Sequence, residues 1–462
     1  MTTRTLPDAA GVHDAPTAAR PTAVRFRLPP GSPLEPFALA GATGIVWADG
    51  DRVQIGLGRA LVLDLPGGLD DTPGVDAATA TLAGIRCDDR LGTGVGGAGH
   101  AVVAFGALPF DRTAAAELVV PELLYVRRSD GVEWVTVVDT TGAGLPDPDD
   151  AGAARDLRTR LATRAAAHTA GAGRQDQPVV TPRSGDDEFE RAVAVAVAAI
   201  GRHDVVKVVL ARSVDVQLAA EVDVPDLLRR WTVLEPSCTV FSMPAPDGQF
   251  VGASPELLVE REAGQVRSRP LAGTTDRVHD PDGGLPAALL DSVKDGEEHR
   301  LVVDAVRAEL APVTDGLLVP DRPELVHLHT ITHLGTSIEG TLRPDPFGGV
   351  PTALHLVARL HPTPAVAGVP RTEATDLIRH LEAGPRGTYA GPVGWVDGDG
   401  DGRWMVGIRA MTVDGDTVHM TAGVGIVAGS DPHTELLETG LKLRAVFDAL
   451  APGVTFDTAP TG

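Results

Sequence analysis

Only two of the 462 residues are cysteine, Cys87 and Cys238, and they stand far apart, outside any CxxC or Cys/His spacing. That scarcity speaks against a disulfide framework and a structural zinc site, and it fits a cytoplasmic protein. Long apolar runs are also missing. The longest, AVAVAVAAI at residues 192–200, is flanked by charge and falls well short of the ~20 residues that cross a bilayer. The opening MTTRTLPDAAGVHDAPTAARPTAVRFRLPPG is rich in Ala, Pro and Thr and lacks the continuous apolar core of a secretory signal. Basic residues are outnumbered, 40 Lys and Arg against 63 Asp and Glu, which leaves a net charge of -23 and a pI near 4.9. The averaged field repels phosphate backbones and anionic lipid, so neither nucleic acid nor a membrane is an expected partner. A small anionic substrate would need local cations or a metal to enter such a field. Any lysine or arginine in a cleft is therefore informative.

What is present is a globular composition, 43% hydrophobic and 22% charged, ample for a large core. Residues 1–30 read as a partly disordered arm and residues 451–462 as a flexible tail. Over residues 31–186, a variable first part, strand-like pieces (VVAFGALPF, ELVVPELLYVRR, VEWVTVVD) alternate with Gly/Pro/Asp turns. They end in an Ala/Arg-rich helix, AGAARDLRTRLATRAAAH, and carry no catalytic signature. The polar, Gly- and Pro-rich segment 169–187 reads as a surface linker. Residues 187–450 are dense in motifs. A helix closing near Gly201 leads into the alternating strand VVKVVLARSVDV, and one long helix is expected over LLDSVKDGEEHRLVVDAVRAEL. Further helices are expected over TEATDLIRHL and ELLETGLKLRAVFDAL, and between them GPVGWVD, RWMVGIRAMTVD and DTVHMTAGVGIV read as a meander joined by Asp/Gly turns. Antiparallel runs with helices between them predict an α+β layered sandwich rather than a doubly wound parallel sheet.

Four features carry chemistry, and each has a plainer structural reading beside it. In HTELLETGLK, Glu435, Glu438 and Lys442 share one arc of a helix. They are either a solvated ladder of i,i+3 and i,i+4 charges or the wall of a site, because the preceding TAGVGIVAGSDP offers free N–H groups to a carboxylate. In VKDGEEHRLVV, Asp295 and Glu298 repeat the acidic spacing. Oxygen-only ligands suit Mg²⁺, and four converging carboxylates without a cation would repel one another. Lys207, alone among valines, is either an edge-strand gatekeeper or a buried general base. Glu256 in VGASPELL either complements a helix dipole from the first turn or, if buried, serves as a general acid. Two motifs are decoys. DGDGDG at residues 397–402 starts like an EF-hand loop, but its twelfth position is Ile408, so it reads as a hairpin turn. His327, His329 and His333 in HLHTITH have a strand spacing compatible with zinc but lack the cysteine, HExxH or acid to complete a site.

Taken in order, KVVLAR, GASPELL, SRPLAGTT, KDGEEH, HLGTSIEG, LHPTPAVAGVPR, RGTYAGPVGW, IRAM, AGVGIV and ELLETGLK closely resemble the chorismate-utilising enzymes, the anthranilate synthase component I-like family, and within it the isochorismate synthase branch. The resemblance covers roughly residues 187–450. It implies two large, mainly antiparallel sheets packed together with helices outside, the whole chain forming one intertwined unit. It also implies reversible, Mg²⁺-dependent conversion of chorismate to isochorismate, feeding menaquinone or catechol siderophore synthesis. Lys207 stands where water-using members have lysine and anthranilate synthases have glutamine, and Ala272 where aminodeoxychorismate synthases often carry a nucleophilic lysine. Ala365 stands where salicylate synthases have threonine. Hydroxyl transfer is thus implied, with no glutaminase subunit. Salicylate synthase, which goes on to eliminate pyruvate, is the alternative.

By the same resemblance Glu298 and Glu438 would hold Mg²⁺, with Asp295 and Glu435 acting mainly through water, and the ion would anchor the ring carboxylate. Asp295 is one methylene shorter than the glutamate of some relatives, which favours the water-mediated role. Lys207, neutral in the resting site, would activate water for attack at C2, and protonated Glu256 would give a proton to the departing C4 hydroxyl. Arg409 and Tyr389 would bind the enolpyruvyl carboxylate, and Gly273, Thr274 and Gly423 would supply backbone or hydroxyl donors. Lys442 would neutralise a carboxylate near the metal, and Ala365 would border the ring. His333 matches a family histidine near the ring, or is a satisfied core histidine. A monomer acting on chorismate is expected.

Overall fold

The structure, a computed structural model, describes residues 21–50, 52–89, 102–168, 178–277, 284–345, 348–454 and 456. Thr239–Ala245 and Gly248–Ser254 are buried along almost their whole length, on both faces, so each needs a layer above and below it. Among the described residues the strands form sheets of thirteen, nine and three. The two large sheets pack face to face, Ile45, Trp47, Phe241 and Phe250 of one against Phe105, Val393, Trp395 and Met405 of the other. Helices close the outer faces, with Trp231, Leu443 and Phe447 packed on the thirteen-stranded sheet and Leu82, Leu354 and Leu356 on the nine-stranded one. This is the expected α+β sandwich. Pairing among the described residues is antiparallel except where Thr22–Arg27 runs parallel to Arg86–Asp88.

Early and late parts of the chain share both sheets. Ile45–Asp49 pairs with Thr239–Ala245, Trp47 opposite Phe241, and Val103–Ala107 pairs with Pro392–Asp397, Phe105 opposite Trp395. Of the arm drawn at residues 1–30, the first twenty lie outside the described residues, while Thr22–Arg27 is a strand with Val24 and Phe26 buried. Its alternation was hidden by the Ala- and Pro-rich composition around it. The linker is likewise only part loop. Residues 169–177 lie outside the described residues, but Val179–Pro182 pairs with Lys207–Gln217. Of the tail, Phe456 lies with its ring 4.8 Å from that of Phe447, and residues 457–462 lie outside the described residues.

Two local expectations need correction. The long helix is two helices, Leu285–Asp291 and Val293–Leu310, because Ser292 is extended and its hydroxyl caps the second by accepting from the Asp295 N–H at 3.2 Å. RWMVGIRAMTVD is two strands in different sheets, Gly402–Val406 in the nine-stranded and Ala410–Asp414 in the thirteen-stranded. Gly407 to Arg409 carries the chain across. A side chain at Gly407 would meet the Gly391 carbonyl at 2.9 Å, and Arg409 takes φ 53°, a conformation that non-glycine residues hold only where the surroundings enforce it. The DGDGDG stretch is the expected hairpin turn, Asp397 Oδ1 accepting from the N–H groups of Asp399 at 3.0 Å and Asp401 at 2.9 Å.

Six strands and two helices frame the convergence of the singled-out residues: β1 (Lys207–Gln217), β2 (Leu271–Asp276), β3 (Ile331–Gly335), β4 (Gly402–Val406), β5 (Ala410–Asp414), β6 (Thr417–Ile426), α1 (Val293–Leu310) and α2 (Pro432–Leu450).

Candidate active site

Lys207 opens β1, which lies between β6 and the short strand Gly368–Val369. It is 0% exposed, so the edge-strand reading is overturned. Gly423 and Gly425 alternate on β6 and therefore share a face. A side chain at position 425 would meet Glu298 Oε1 at 2.2 Å and Lys207 Cε at 3.0 Å. The bare backbone there leaves the gap in which Lys207 Nζ and Glu298 Oε1 pair at 2.9 Å.

The acidic helix α2 is capped by Asp431, which accepts from the Thr434 N–H at 2.9 Å. Glu435 is 1% exposed and Lys442 8%, so these groups are the wall of a site rather than a solvated ladder. Each acid is engaged. Glu438 pairs with Lys442 at 2.6 Å, Glu435 Oε1 pairs with Lys294 of α1 at 3.1 Å, and Asp295 accepts from the Ser292 hydroxyl. Asp295 thus spends part of its capacity on closing its own helix.

Glu256 sits between Gly248–Ser254 and Leu257–Glu262, both strands, so the helix-dipole reading fails. It is 3% exposed. Burial pushes its carboxyl up to about 7, with the Leu271 N–H, Lys207 and Arg409 pulling the other way. A group so placed can hold or give a proton near neutrality.

His333 on β3 is buried, and its Nδ1 lies 2.9 Å from the Gly273 carbonyl and 3.2 Å from the Thr274 hydroxyl. A carbonyl only accepts, which puts the proton on Nδ1 and leaves Nε2 to accept from Arg409 Nη2 at 3.0 Å. Burial and the neighbouring Arg409 lower His333 to about 3, so it is neutral. It is a satisfied core histidine that also aims the guanidinium. Gly273 lies at an irregularity in the β2–β3 ladder with φ 71°, which turns its carbonyl toward His333. Tyr389 is held neutral, burial pushing its phenol up to about 12 while its hydroxyl accepts from the Gly423 N–H. The Gly423 carbonyl accepts from Lys442 Nζ at 3.0 Å. Both Gly423 groups therefore already hold side chains of the site.

Thirteen of the fourteen expected residues line one cavity of about 70 Å³, and Lys207 alone lies behind its wall, reached through Glu298. That volume is below the few hundred Å³ of a ligand pocket. Ala365 leaves its side of the cavity without a hydroxyl. A larger cleft of about 1090 Å³ shares only Arg386 and Tyr389 with this cavity. Three of its arginines are paired with acids of the same cleft, Arg183 with Asp215, Arg59 with Glu117 and Arg386 with Glu382. The smaller cavity is the candidate site because it gathers thirteen of the residues singled out in the sequence.

Among the described residues no three acids stand close enough together to hold an ion, because three of the four carboxylates are drawn to lysines. The donor set nonetheless fits a hard divalent cation, being all oxygen and supplied in pairs by α1 and α2. Glu435 Oε2 is buried without a hydrogen-bond partner. Asp295 and Glu435 are pushed up from the usual carboxylate range, chiefly by burial and further by neighbouring carboxylates, while Ser292, Ser430 and Lys294 oppose the shift. Two participants escaped sequence reasoning, Lys294 and Gly425. The signals were the lysine directly before Asp295 and the alternation of glycines in AGVGI.

The chain matches the family model described as chorismate binding enzyme over residues 94–451, and it belongs to that family. Among its relatives, MenF of Mycobacterium tuberculosis strain H37Rv is 37% identical over 394 residues, 80% of this chain and 93% of that one. Isochorismate synthase DhbC of Bacillus subtilis is 36% identical over 354 residues, 75% of this chain and 80% of that one. The solved structure of MenF, the menaquinone-specific isochorismate synthase from Escherichia coli, has the same fold, with a TM-score of 0.75 at 23% identity over 94% of this chain and 95% of that chain.

Proposed function

We propose that the chain is an isochorismate synthase, a cytoplasmic hydroxymutase that interconverts chorismate and isochorismate with Mg²⁺. One observation carries the reading: two buried proton carriers, Glu256 in the wall of the cavity and Lys207 directly behind it on Glu298, flank a space lined by Arg409, whose Nε is buried, and by four carboxylates. Its relatives named isochorismate synthase support it. Chorismate carries two carboxylates and needs two cationic docks. Arg409, aimed by His333 and accompanied by Tyr389, suits the enolpyruvyl carboxylate, which a guanidinium can grip with two parallel hydrogen bonds. The ring carboxylate goes to Lys442, and Glu298 and Glu438, with Asp295 and Glu435 beside them, would hold a Mg²⁺ ion next to it. When bound, the ion supplies the positive charge that offsets this carboxylate.

Once its ion pair with Glu298 has parted and its own proton has been lost to solvent, Lys207 as the neutral amine takes the proton of the water that adds at C2, the ring double bond shifts, and the C4–oxygen bond breaks as Glu256 protonates the leaving hydroxyl. One water enters and one leaves, so atoms balance and the reaction is reversible. Lys207 faces the cavity only when Glu298 turns away from it, which makes Glu298 the gatekeeper of the base. A lysine at position 207 suits water as nucleophile, and the alanine at position 365 gives no hydroxyl to a following elimination.

The test is a timed product analysis of purified protein with chorismate, run with Mg²⁺ and then with EDTA. Isochorismate accumulating toward equilibrium, and no turnover in EDTA, is the expected result. Salicylate and pyruvate as main products would replace the reading with salicylate synthase, and turnover that required glutamine and a partner subunit would replace it with an aminase.

A further inference from the structure

Lys207 and Lys442 have roles in the reaction, but the third lysine of the site has none. Lys294 lies in the first turn of α1 and reaches across to α2, where its Nζ meets Glu435 Oε1 at 3.1 Å. The two ends of this pair differ. Glu435 is 1% exposed at the side chain and its second oxygen has no hydrogen-bond partner, whereas the Lys294 side chain is 43% exposed. The lysine can therefore swing into water with little loss of packing, while the carboxylate stays in the wall. Lys294 also feels the charges of Glu438 and Glu298, so it sits in the field of the whole carboxylate set.

We infer that Lys294 is a built-in competitor for the divalent cation: it occupies the Glu435 oxygen that the ion and its water would take, and so sets how tightly the ion binds. This rests on the metal reading given above. A tethered ammonium neutralises the buried carboxylates, which would otherwise repel one another, and yields to a cation of twice its charge. The arrangement keeps α1 and α2 together while leaving the site open to exchange of the ion. Removing the ammonium tightens binding by about fivefold, the scale of one partly exposed ion pair.

The experiment is calorimetric titration of MgCl₂ into the full-length protein without chorismate, for wild type, Lys294→Met and Lys294→Arg, paired with melting temperatures with and without Mg²⁺. Lys294→Met should bind Mg²⁺ about fivefold more tightly and gain more melting temperature from it than wild type, and Lys294→Arg should behave as wild type does. A strut without influence on the ion would lower the melting temperature of Lys294→Met equally with and without Mg²⁺ and leave the affinity unchanged, which overturns the inference and leaves the metal reading standing. Should wild type itself fail to bind Mg²⁺, the metal reading falls and this inference with it. If Lys294→Met does not fold, Lys294→Gln, which keeps a polar tip without charge, is held to the same fivefold expectation.

Discussion

Glu256→Gln separates a catalytic proton from a structural one in a single variant. The carboxyl is held at about 7 in the folded protein, against roughly 4.3 in an unfolded chain. Between those values the native state keeps a proton that the unfolded state has released, so wild-type stability falls as pH rises through the window and the loss is complete above it. Two to three pH units at roughly 1.4 kcal/mol each amount to about 3 kcal/mol. The amide has no such proton. Glu256→Gln should therefore gain about 3 kcal/mol relative to wild type between pH 4 and pH 8, whatever offset the substitution adds at every pH. Urea midpoints at four or five pH values measure it. Activity moves the other way: kcat/KM should drop by about 10²–10⁴, the usual worth of a positioned acid, and the decline of wild-type kcat/KM above about pH 7 reports loss of the same proton. A stability difference flat in pH, or a variant within tenfold of wild-type activity, refutes the reasoning.

Lys207→Ala should lose at least about a hundredfold in kcat and cost about 3 kcal/mol in stability, because Glu298 is left in the wall without its counter-charge. Lys207→Arg should be equally inactive while keeping the pair, because a guanidinium does not give up its proton; turnover by either variant close to wild type would remove Lys207 from the role of base. Gly425→Ala places a methyl where Glu298 Oε1 now lies, 2.2 Å from its carbon. It should leave the circular dichroism spectrum unchanged and cut activity by about 10², the scale of a small misplacement at a reacting centre, and full activity would show that the narrow gap between Lys207 and Glu298 is dispensable.

The residues around the cavity were legible because each lies in a short motif whose order along the chain is distinctive, and alternation marked most strands. What sequence could not decide was non-local. RWMV and RAMTVD both read as strand, and only pairing with Pro392–Asp397 on one side and Thr417–Ile426 on the other assigns them to different sheets. Whether Lys207 is edge or core depended on Gly368–Val369 and β6 flanking β1. The pairing of Lys294 with Glu435 depends on how α1 and α2 approach. Ser292 is a different kind of miss. Its signal, a serine three residues before an acid, was local and readable, but the helical periodicity across it was given more weight.

The sharing of both sheets by distant parts of the chain also fixes when the protein can fold. Trp47 waits for Phe241, roughly two hundred residues further along, and at ribosomal speeds of about 5–20 residues per second that is on the order of 10–40 s. Phe105 waits longer still, for Trp395. During that interval a strand containing Ile45, Val46 and Trp47 stands with an open edge, a template for pairing with another nascent chain. Recovery of soluble protein from an overexpressing cell therefore depends on what shelters residues 45–49 during synthesis, and co-expressed chaperones or fewer chains per messenger should raise it more than any change to the finished fold.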